Sequence, residues 1–458
     1  MHENEKIQLF ERAPIPRAVA KLAVPMIFSS LVMVLYNMAD TYFVGMMNDP
    51  VENAAVSLAS PVLLAFNAVN NLFGVGTSSM MSRALGRKDY KTVSESSAFG
   101  FYCSLISGVI FGLLCGLLNS PLLTLIGADK TTWSATQGYM FWAVYLGAAP
   151  AILNVVMAYL VRSEGAAMHA SIGTMSGCFL NIILDPVFIL PWGLNMGAAG
   201  AGLATFLSNC MACLYFFVLL YVKRGNTFVC IDPRKVPSVK KRDYYLKCAV
   251  SVFRASIQNL LNVTGMTILN NFTSVYGADA VAAMGIAYKV YMVPMQVALG
   301  FSQGIMPLVS YTFAAGRIRR MKDTIMFALK LIVPVLAVVT IGYYAGADAL
   351  IGLFMKNETI IEYGSAFLRG FCLGIVFLSI DFLAVGVFQA LGLGRYALIF
   401  AIMRKVVLEI PALIVLNRLF PLYGLAYAQF VAELILSICA VVMLRHIFKK
   451  YGEKKNGK

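Results

Sequence analysis

A carboxylate set inside a long apolar run is the clearest candidate for ion chemistry in this sequence. Asp185 lies in the run NIILDP (residues 181–186), and Asn181 comes one helical turn before it, on the same helix face. A charged Asp at the centre of a membrane helix costs roughly 2.5 to 3.5 kcal/mol on insertion scales. Pro186 lacks a backbone donor and allows a bend beside the acid. The run therefore predicts a functional acid.

A second acid has a similar setting. Asp40 lies in the first apolar run, and Tyr36 comes one turn before it. Two buried carboxylates with hydroxyl and amide neighbours could bind a proton or a sodium ion. The alternative is a polar cluster that only packs helices together.

The composition is that of an integral membrane protein. Hydrophobic residues make up 59% of the 458 residues, charged residues only 13%, and the mean hydropathy is +0.76. A soluble domain has about 25% charged residues. The nine cysteines are scattered without a CxxC pair, so they are expected to be small buried hydrophobes rather than disulfide or metal ligands.

Twelve apolar segments are long enough to cross a bilayer, which predicts an all-α fold of twelve transmembrane helices. The segments lie near residues 22–45, 54–80, 94–118, 133–160, 166–190, 198–222, 248–276, 280–311, 324–346, 360–391, 396–417 and 422–444.

The positions of the basic residues predict the orientation. If both termini are cytoplasmic, 28 of the 37 Lys and Arg residues fall in cytoplasmic segments and three fall outside. This is the bias of the positive-inside rule. The net charge of +15 is then explained by membrane orientation, and no nucleic-acid partner is expected.

The sequence predicts two similar halves. The polar stretch 223–247 separates a first six-span bundle, 1–222, from a second bundle with a basic tail, 248–458. At a shift of about 230 residues, ALGR (84–87) lies over AAGR (314–317), and Gly74 lies over Gly304. Because six is even, both halves begin on the same side, so a pseudo-two-fold axis along the membrane normal is expected. Two bundles around a central cleft are typical of alternating-access transporters.

The acidic residues of the second half lie at different positions from those of the first half. Asp40 lies over Asn270, while Asp381 falls in the tenth span. Glu409 follows Arg404 and Lys405 by about one helical turn, so a structural ion pair and a functional acid both stay open. Glu433 is expected to pack against polar neighbours. The residues considered as cations that could neutralise one of these acids are Lys289 and Arg254.

The order of these features resembles the multidrug and toxic compound extrusion (MATE) family. The shared features are the twelve spans in two halves, NMADTYFVG (37–45), RSEG (162–165) and NIILDP (181–186). The likeness covers nearly the whole chain and is closest to bacterial members with an N-I-x-L-D-P helix. It implies a V-shaped pair of bundles that exports amphipathic, often cationic compounds in exchange for protons or sodium.

The resemblance also implies a cation site in the first bundle. Its residues would be Asp40, Asp185, Tyr36, Asn181, Asn154 and Thr205, with sodium or a proton between the two acids. Some relatives pair a Glu of the seventh span with an Asp of the tenth. Here the seventh span has amides, while Asp381 falls close to the expected Asp, and this departure favours the first bundle. Asp381 and Glu409 remain the candidate second-bundle acids.

Other functions stay open from sequence. A flippase for a lipid-linked oligosaccharide could share the architecture, and it would be favoured by more basic residues in the spans. A scaffold or receptor fits poorly with the short loops. An enzyme is not expected, because the three histidines are far apart in sequence. The prediction is therefore a monomeric multi-pass protein of the bacterial plasma (inner) membrane that lies in the lipid bilayer, acts on small amphipathic molecules, and needs no cofactor beyond H+ or Na+.

Overall fold

A computed structural model describes residues 3–47, 49–236, 261, 264–265, 267–354 and 357–453. Within these ranges the regular secondary structure is helical. The chain divides into two compact units. The first contains Met1–Ala13 and Phe28–Ser256, and the second contains Pro14–Ile27 and Ile257–Lys458. The long helix that begins the membrane region thus contributes to both units.

The first unit contains the helices up to residue 222 and the second half of α2. They are α1 (Glu3–Glu11), α2 (Ile15–Met46), α3 (Pro50–Asn70), α4 (Gly76–Gly86), α5 (Tyr90–Leu117), α6 (Asn119–Leu125), α7 (Trp133–Met140), α8 (Ala148–Ser163), α9 (Ala167–Ile189) and α10 (Gly197–Val222). A short 3-10 helix, Pro233–Lys235, follows.

The second unit contains the later helices. They are α11 (Ala278–Ala314), α12 (Ile318–Ala345), α13 (Ala347–Gly352), α14 (Glu358–Ala390), α15 (Gly394–Ile402), α16 (Ile410–Leu419) and α17 (Gly424–Glu453). Residues 267–274 are also helical. The predicted seventh span, 248–276, lies largely outside the described residues.

The predicted spans correspond to these helices, but three of them are interrupted. Turns of π-helix lie at Asn71–Val75, Phe141–Leu146 and Met403–Glu409. Within the described residues, eight helices are long and apolar enough to cross a membrane, and a ninth is obtained if Trp133–Leu146 and Ala148–Ser163, bent by 47°, form one span. Turns of π-helix are often found at functional sites because they change the direction in which later side chains point.

The glycines matched between the two halves both lie at close contacts. A Cβ on Gly74 would come within 2.4 Å of the Tyr159 ring in the first unit. In the second unit, a Cβ on Gly304 would come within 2.6 Å of the Ala23 backbone. Each position therefore needs a residue without a side chain, which gives the sequence match a packing reason.

The RSEG turn holds the start of the polar stretch that follows α10. Glu164 is buried, and its Oε2 accepts hydrogen bonds from the Phe228 backbone N–H (2.6 Å) and the Thr227 hydroxyl (3.0 Å). Further along, the Cys230 N–H donates to Ser97 Oγ (2.9 Å). Residues 227–231 are therefore bound to the first unit, which agrees with a structural role for Glu164.

Glu164→Ala is expected to release residues 227–231 from the first unit. The substitution removes the carboxylate that accepts hydrogen bonds from the Phe228 N–H and the Thr227 hydroxyl. Hydrogen bonds to charged groups contribute about 1.5 to 3 kcal/mol each, so trypsin cleavage after Arg224 and Arg234 should accelerate about tenfold or more. Timed proteolysis in detergent measures this rate. Asp323→Ala, at an exposed position of α12, is the control. Equal rates for the two variants would contradict the assignment.

Candidate cation-coupling site

The first-unit acids are placed by α2, α9 and α10. Asp185 and Asn181, on α9, are 0% and 1% exposed, while Asp40 and Tyr36, on α2, are half-buried. Small residues let α9 and α10 approach closely: a Cβ on Gly177 would lie 3.0 Å from the Ser208 carbonyl oxygen. This close approach brings Asn181 within reach of Thr205 on α10.

Asn181 connects Asp185 to α10. In the amide orientation that satisfies both of its ends, its nitrogen donates to Asp185 Oδ2 (2.8 Å) and its oxygen accepts from the Thr205 backbone N–H (3.2 Å). In the opposite orientation, the nitrogen lies 3.5 Å from the Thr205 hydroxyl and the oxygen faces the carboxyl group. The predicted face shared by Asn181 and Asp185 is thus present in the structure.

Asp40 and Tyr36 lie in the same cluster. Asp185 and Asp40 are close enough for their charges to repel each other. Tyr36 lies within electrostatic reach of both carboxylates and beside the Thr205 side chain. Five of the six residues that the resemblance implies are therefore brought together: Asp40, Asp185, Tyr36, Asn181 and Thr205.

Asn154 makes a different contact. It is 5% exposed, and its Nδ2 donates to Asn209 Oδ1 at 2.7 Å. Among the hydrogen bonds of the described residues, none joins Asn154 to Asp40 or Asp185. Its place in the predicted cation set stays a prediction.

Tyr139 was not found from the sequence. It is buried on α7 and lies within electrostatic reach of Asp40, Tyr36 and Asp185. A Cβ on Gly202 would come within 2.7 Å of its carbonyl oxygen, so α10 packs tightly beside it. Tyr139 is one of several aromatic residues in TQGYMFW (136–142), and nothing in that pattern distinguishes it from a packing residue.

In the second unit, Asp381 and Glu409 each contact a cation. Asp381, on α14, is 0% exposed and lies in direct contact with the Arg404 guanidinium. Lys405 Nζ lies 2.8 Å from Glu409 Oε1, as an i,i+4 pair within the π-helical turn. The ion pair considered for Glu409 from sequence is therefore present.

Arg404 also reaches Glu433 on α17, with Nε 3.2 Å from Oε1. Sequence reasoning considered Lys289 and Arg254 as cations for the second-half acids. Lys289 is exposed, and Arg254 lies outside the described residues. The cation found beside Asp381 and Glu433 is Arg404, which lies on the π-helical turn.

Comparison with known proteins places this architecture in a family. The MatE family model matches residues 25–187 and 255–415, one segment in each half of the chain. The multidrug export protein MepA of Staphylococcus aureus (strain MRSA252) is 31% identical over 447 residues, which cover 97% of this chain and 96% of MepA. The Staphylococcus saprophyticus protein of the same name is 32% identical over 442 residues, 96% of each chain.

Solved structures have the same fold. A multidrug resistance MATE family transporter of the MOP superfamily, in an outward-facing conformation, superposes with a TM-score of 0.91 at 25% identity, over 98% of this chain and 99% of that one. A MATE protein in complex with MaL6 gives the same TM-score and coverage at 24% identity. The predicted fold of twelve helices in two six-helix bundles is confirmed. With the family model matching both halves and relatives aligned over nearly the whole length, this chain belongs to the MatE family of membrane transporters.

Proposed function

We propose that this protein is a cation-coupled antiporter of the bacterial plasma membrane that exports amphipathic, often cationic organic compounds by alternating access. The observation that carries the proposal is the buried Asn181–Asp185 pair beside Asp40 in the first unit. The substrate class is taken from the similar proteins named multidrug export proteins.

The coupling step is an exchange of ligands at the two carboxylates. An ionised Asp185 attracts a positive charge strongly because it is fully buried, where water screens it little, and the half-buried Asp40 adds to the attraction. In the inward state, an organic cation supplies that charge. In the outward state, a proton or sodium ion takes its place, the attraction is lost, and the organic cation leaves.

Asn181 is suited to both charge states of Asp185. An ionised carboxylate accepts a hydrogen bond from the amide nitrogen, as in the orientation with the 2.8 Å contact. A protonated carboxyl group is itself a donor, so it needs the amide oxygen instead. A half-turn of the Asn181 amide supplies this oxygen and moves the nitrogen towards the Thr205 hydroxyl. The Asn181 amide can therefore hydrogen-bond to Asp185 in either of its charge states.

The energy available limits the stoichiometry. A proton that crosses 100 mV and one pH unit releases about 2.3 plus about 1.4, or roughly 3.7 kcal/mol. Exchange of one proton for one monovalent cation moves no net charge, so the voltage contribution disappears. Two protons for each monovalent cation would restore it.

The test is efflux of a fluorescent cationic dye from proteoliposomes under an imposed proton gradient and, separately, an imposed sodium gradient. We expect one gradient, and not the other, to drive efflux by the wild-type protein, which identifies the coupling ion. Liposomes without protein give the leak rate. If neither gradient moved the dye above that rate, the antiport proposal would be wrong, and transport of a fluorescent lipid-linked oligosaccharide would be tested next.

A further inference from the structure

A second buried carboxylate cluster lies in the second unit and is not used in the exchange described above. Asp381 on α14 and Glu433 on α17 are both 0% exposed. The Arg404 guanidinium reaches both of them, in contact with Asp381 Oδ2 and with Nε 3.2 Å from Glu433 Oε1. The Arg404 guanidinium also lies over the Phe382 ring, 4.9 Å from its centroid, which holds it in place.

The described members of this cluster do not balance in charge. Its charged and titratable groups, from α11, α14, α17 and the π-helical turn, are Tyr288, Tyr291, Asp381, Arg404, Lys405, Glu409 and Glu433. They include three carboxylates and two cations. Lys405 is paired with Glu409, with Nζ 2.7 Å from Oε2. The Arg404 guanidinium is therefore the cation left for Asp381 and Glu433. One negative charge is therefore uncompensated among the described groups.

The uncompensated negative charge is assigned to Glu433. The Arg404 guanidinium is in direct contact with Asp381 and has its Nε 3.2 Å from Glu433 Oε1, and neither contact has hydrogen-bond geometry. The oxygens of both acids are buried and have no hydrogen-bond partner among the described residues, so the direct contact is what assigns the guanidinium to Asp381. The neighbouring polar group, Gln429, donates instead to the Tyr291 hydroxyl at 2.7 Å. A buried carboxylate whose charge is not balanced is too costly to keep ionised, and such groups become neutral instead.

We propose that Glu433 is a proton-binding site of the second unit, with Arg404 as the fixed cation that neutralises Asp381. A guanidinium attached to the chain occupies the place between the two acids where a free sodium ion would lie, so the ligand is a proton. The use of this proton in transport rests on the proposed antiport. In that exchange, two protons would enter for each monovalent cation exported. One net charge would then cross the membrane, so the voltage would contribute to export.

The binding site can be tested without transport, by infrared spectroscopy of the full-length protein in lipid. Protonated carboxyl groups have a C=O band that shifts on exchange into deuterated water. The test uses an Asp40→Asn/Asp185→Asn background, so that the first-unit acids do not contribute. At neutral pH, Glu433→Gln is expected to remove one carboxyl equivalent of this band. Glu362→Gln, an exposed acid of α14, should remove none.

An unchanged band in Glu433→Gln would overturn the proton site. That outcome is expected if Arg254, which lies outside the described residues, or another cation balances the cluster. If Glu433→Gln did not fold, Glu433→Asp should shift the band, and a band at an unchanged frequency would count against the proposal.

The coupling role has a separate readout. In proteoliposomes with the first-unit acids intact, the number of protons exchanged per monovalent dye should fall from two to one in Glu433→Gln. At a fixed pH gradient, an imposed voltage should therefore change efflux by the wild-type protein but not by the variant. A lost infrared band with an unchanged ratio would keep the site and overturn its role in coupling. Absence of any gradient-driven efflux by the wild-type protein would overturn the antiport proposal and leave the infrared result standing.

Discussion

Asp185→Asn is expected to lower gradient-driven dye efflux at least about tenfold, which corresponds to about 1.4 kcal/mol or more of activation free energy. Asn has nearly the shape of Asp but can neither carry the charge that attracts an organic cation nor exchange a proton. Since Asn181 can hydrogen-bond to an amide as well as to a carboxylate, the variant should fold. The measurement is the initial rate in proteoliposomes under the gradient that drives the wild-type protein.

Two variants make the result specific. Asp323→Asn is the same substitution at an exposed position of α12 and should keep the wild-type rate. Asp185→Glu keeps a carboxylate and should retain more activity than Asp185→Asn. In addition, as the pH is lowered, dye binding to purified Asp185→Asn should weaken less than dye binding to the wild-type protein. Efflux by Asp185→Asn at the wild-type rate would show that the site is misassigned.

Arg404→Gln is expected to lower the stability of the second unit by about 3 to 5 kcal/mol, the usual cost of leaving a buried charge without its partner. The variant leaves Asp381 and Glu433 without their shared guanidinium, and both are fully buried. The destabilisation should become smaller as the pH is lowered, because protons can then neutralise the acids in place of the guanidinium. Thermal unfolding of the purified protein in detergent at several pH values measures both effects.

The controls use the chain's other ion pairs. Arg369 pairs with Asp348 at 2.7 Å, but their side chains are 33% and 60% exposed, so Arg369→Gln should cost about 0 to 1 kcal/mol. Adding Asp381→Asn and Glu433→Gln to Arg404→Gln removes the unpaired acids and should restore much of the loss. If Arg404→Gln unfolded at the same temperature as Arg369→Gln, the cluster would not contribute to stability as argued.

The sequence determined the features that depend on local spacing or on total composition. The membrane class follows from hydropathy alone, and the match of Gly74 with Gly304 indicated two similar halves. Asn181 and Asp185 share a helix face because an α-helix repeats every 3.6 residues, whatever surrounds it. The Lys405–Glu409 contact could also be anticipated, because a separation of four residues keeps two side chains close on consecutive turns, here also within a turn of π-helix.

Tertiary structure alone decided which side chains meet across helices. Thr205 and Tyr139 reach the Asp40–Asp185 cluster, whereas Asn154 pairs with Asn209, because these contacts depend on the rotation and close approach of α7, α8, α9 and α10. Arg404, rather than the sequence candidates Lys289 and Arg254, contacts Asp381 and Glu433. It lies on a π-helical turn, which shifts the phase of the helix relative to the regular period. Residue spacing fixes a direction only while that period is unbroken, so this pairing could be found only from the folded chain.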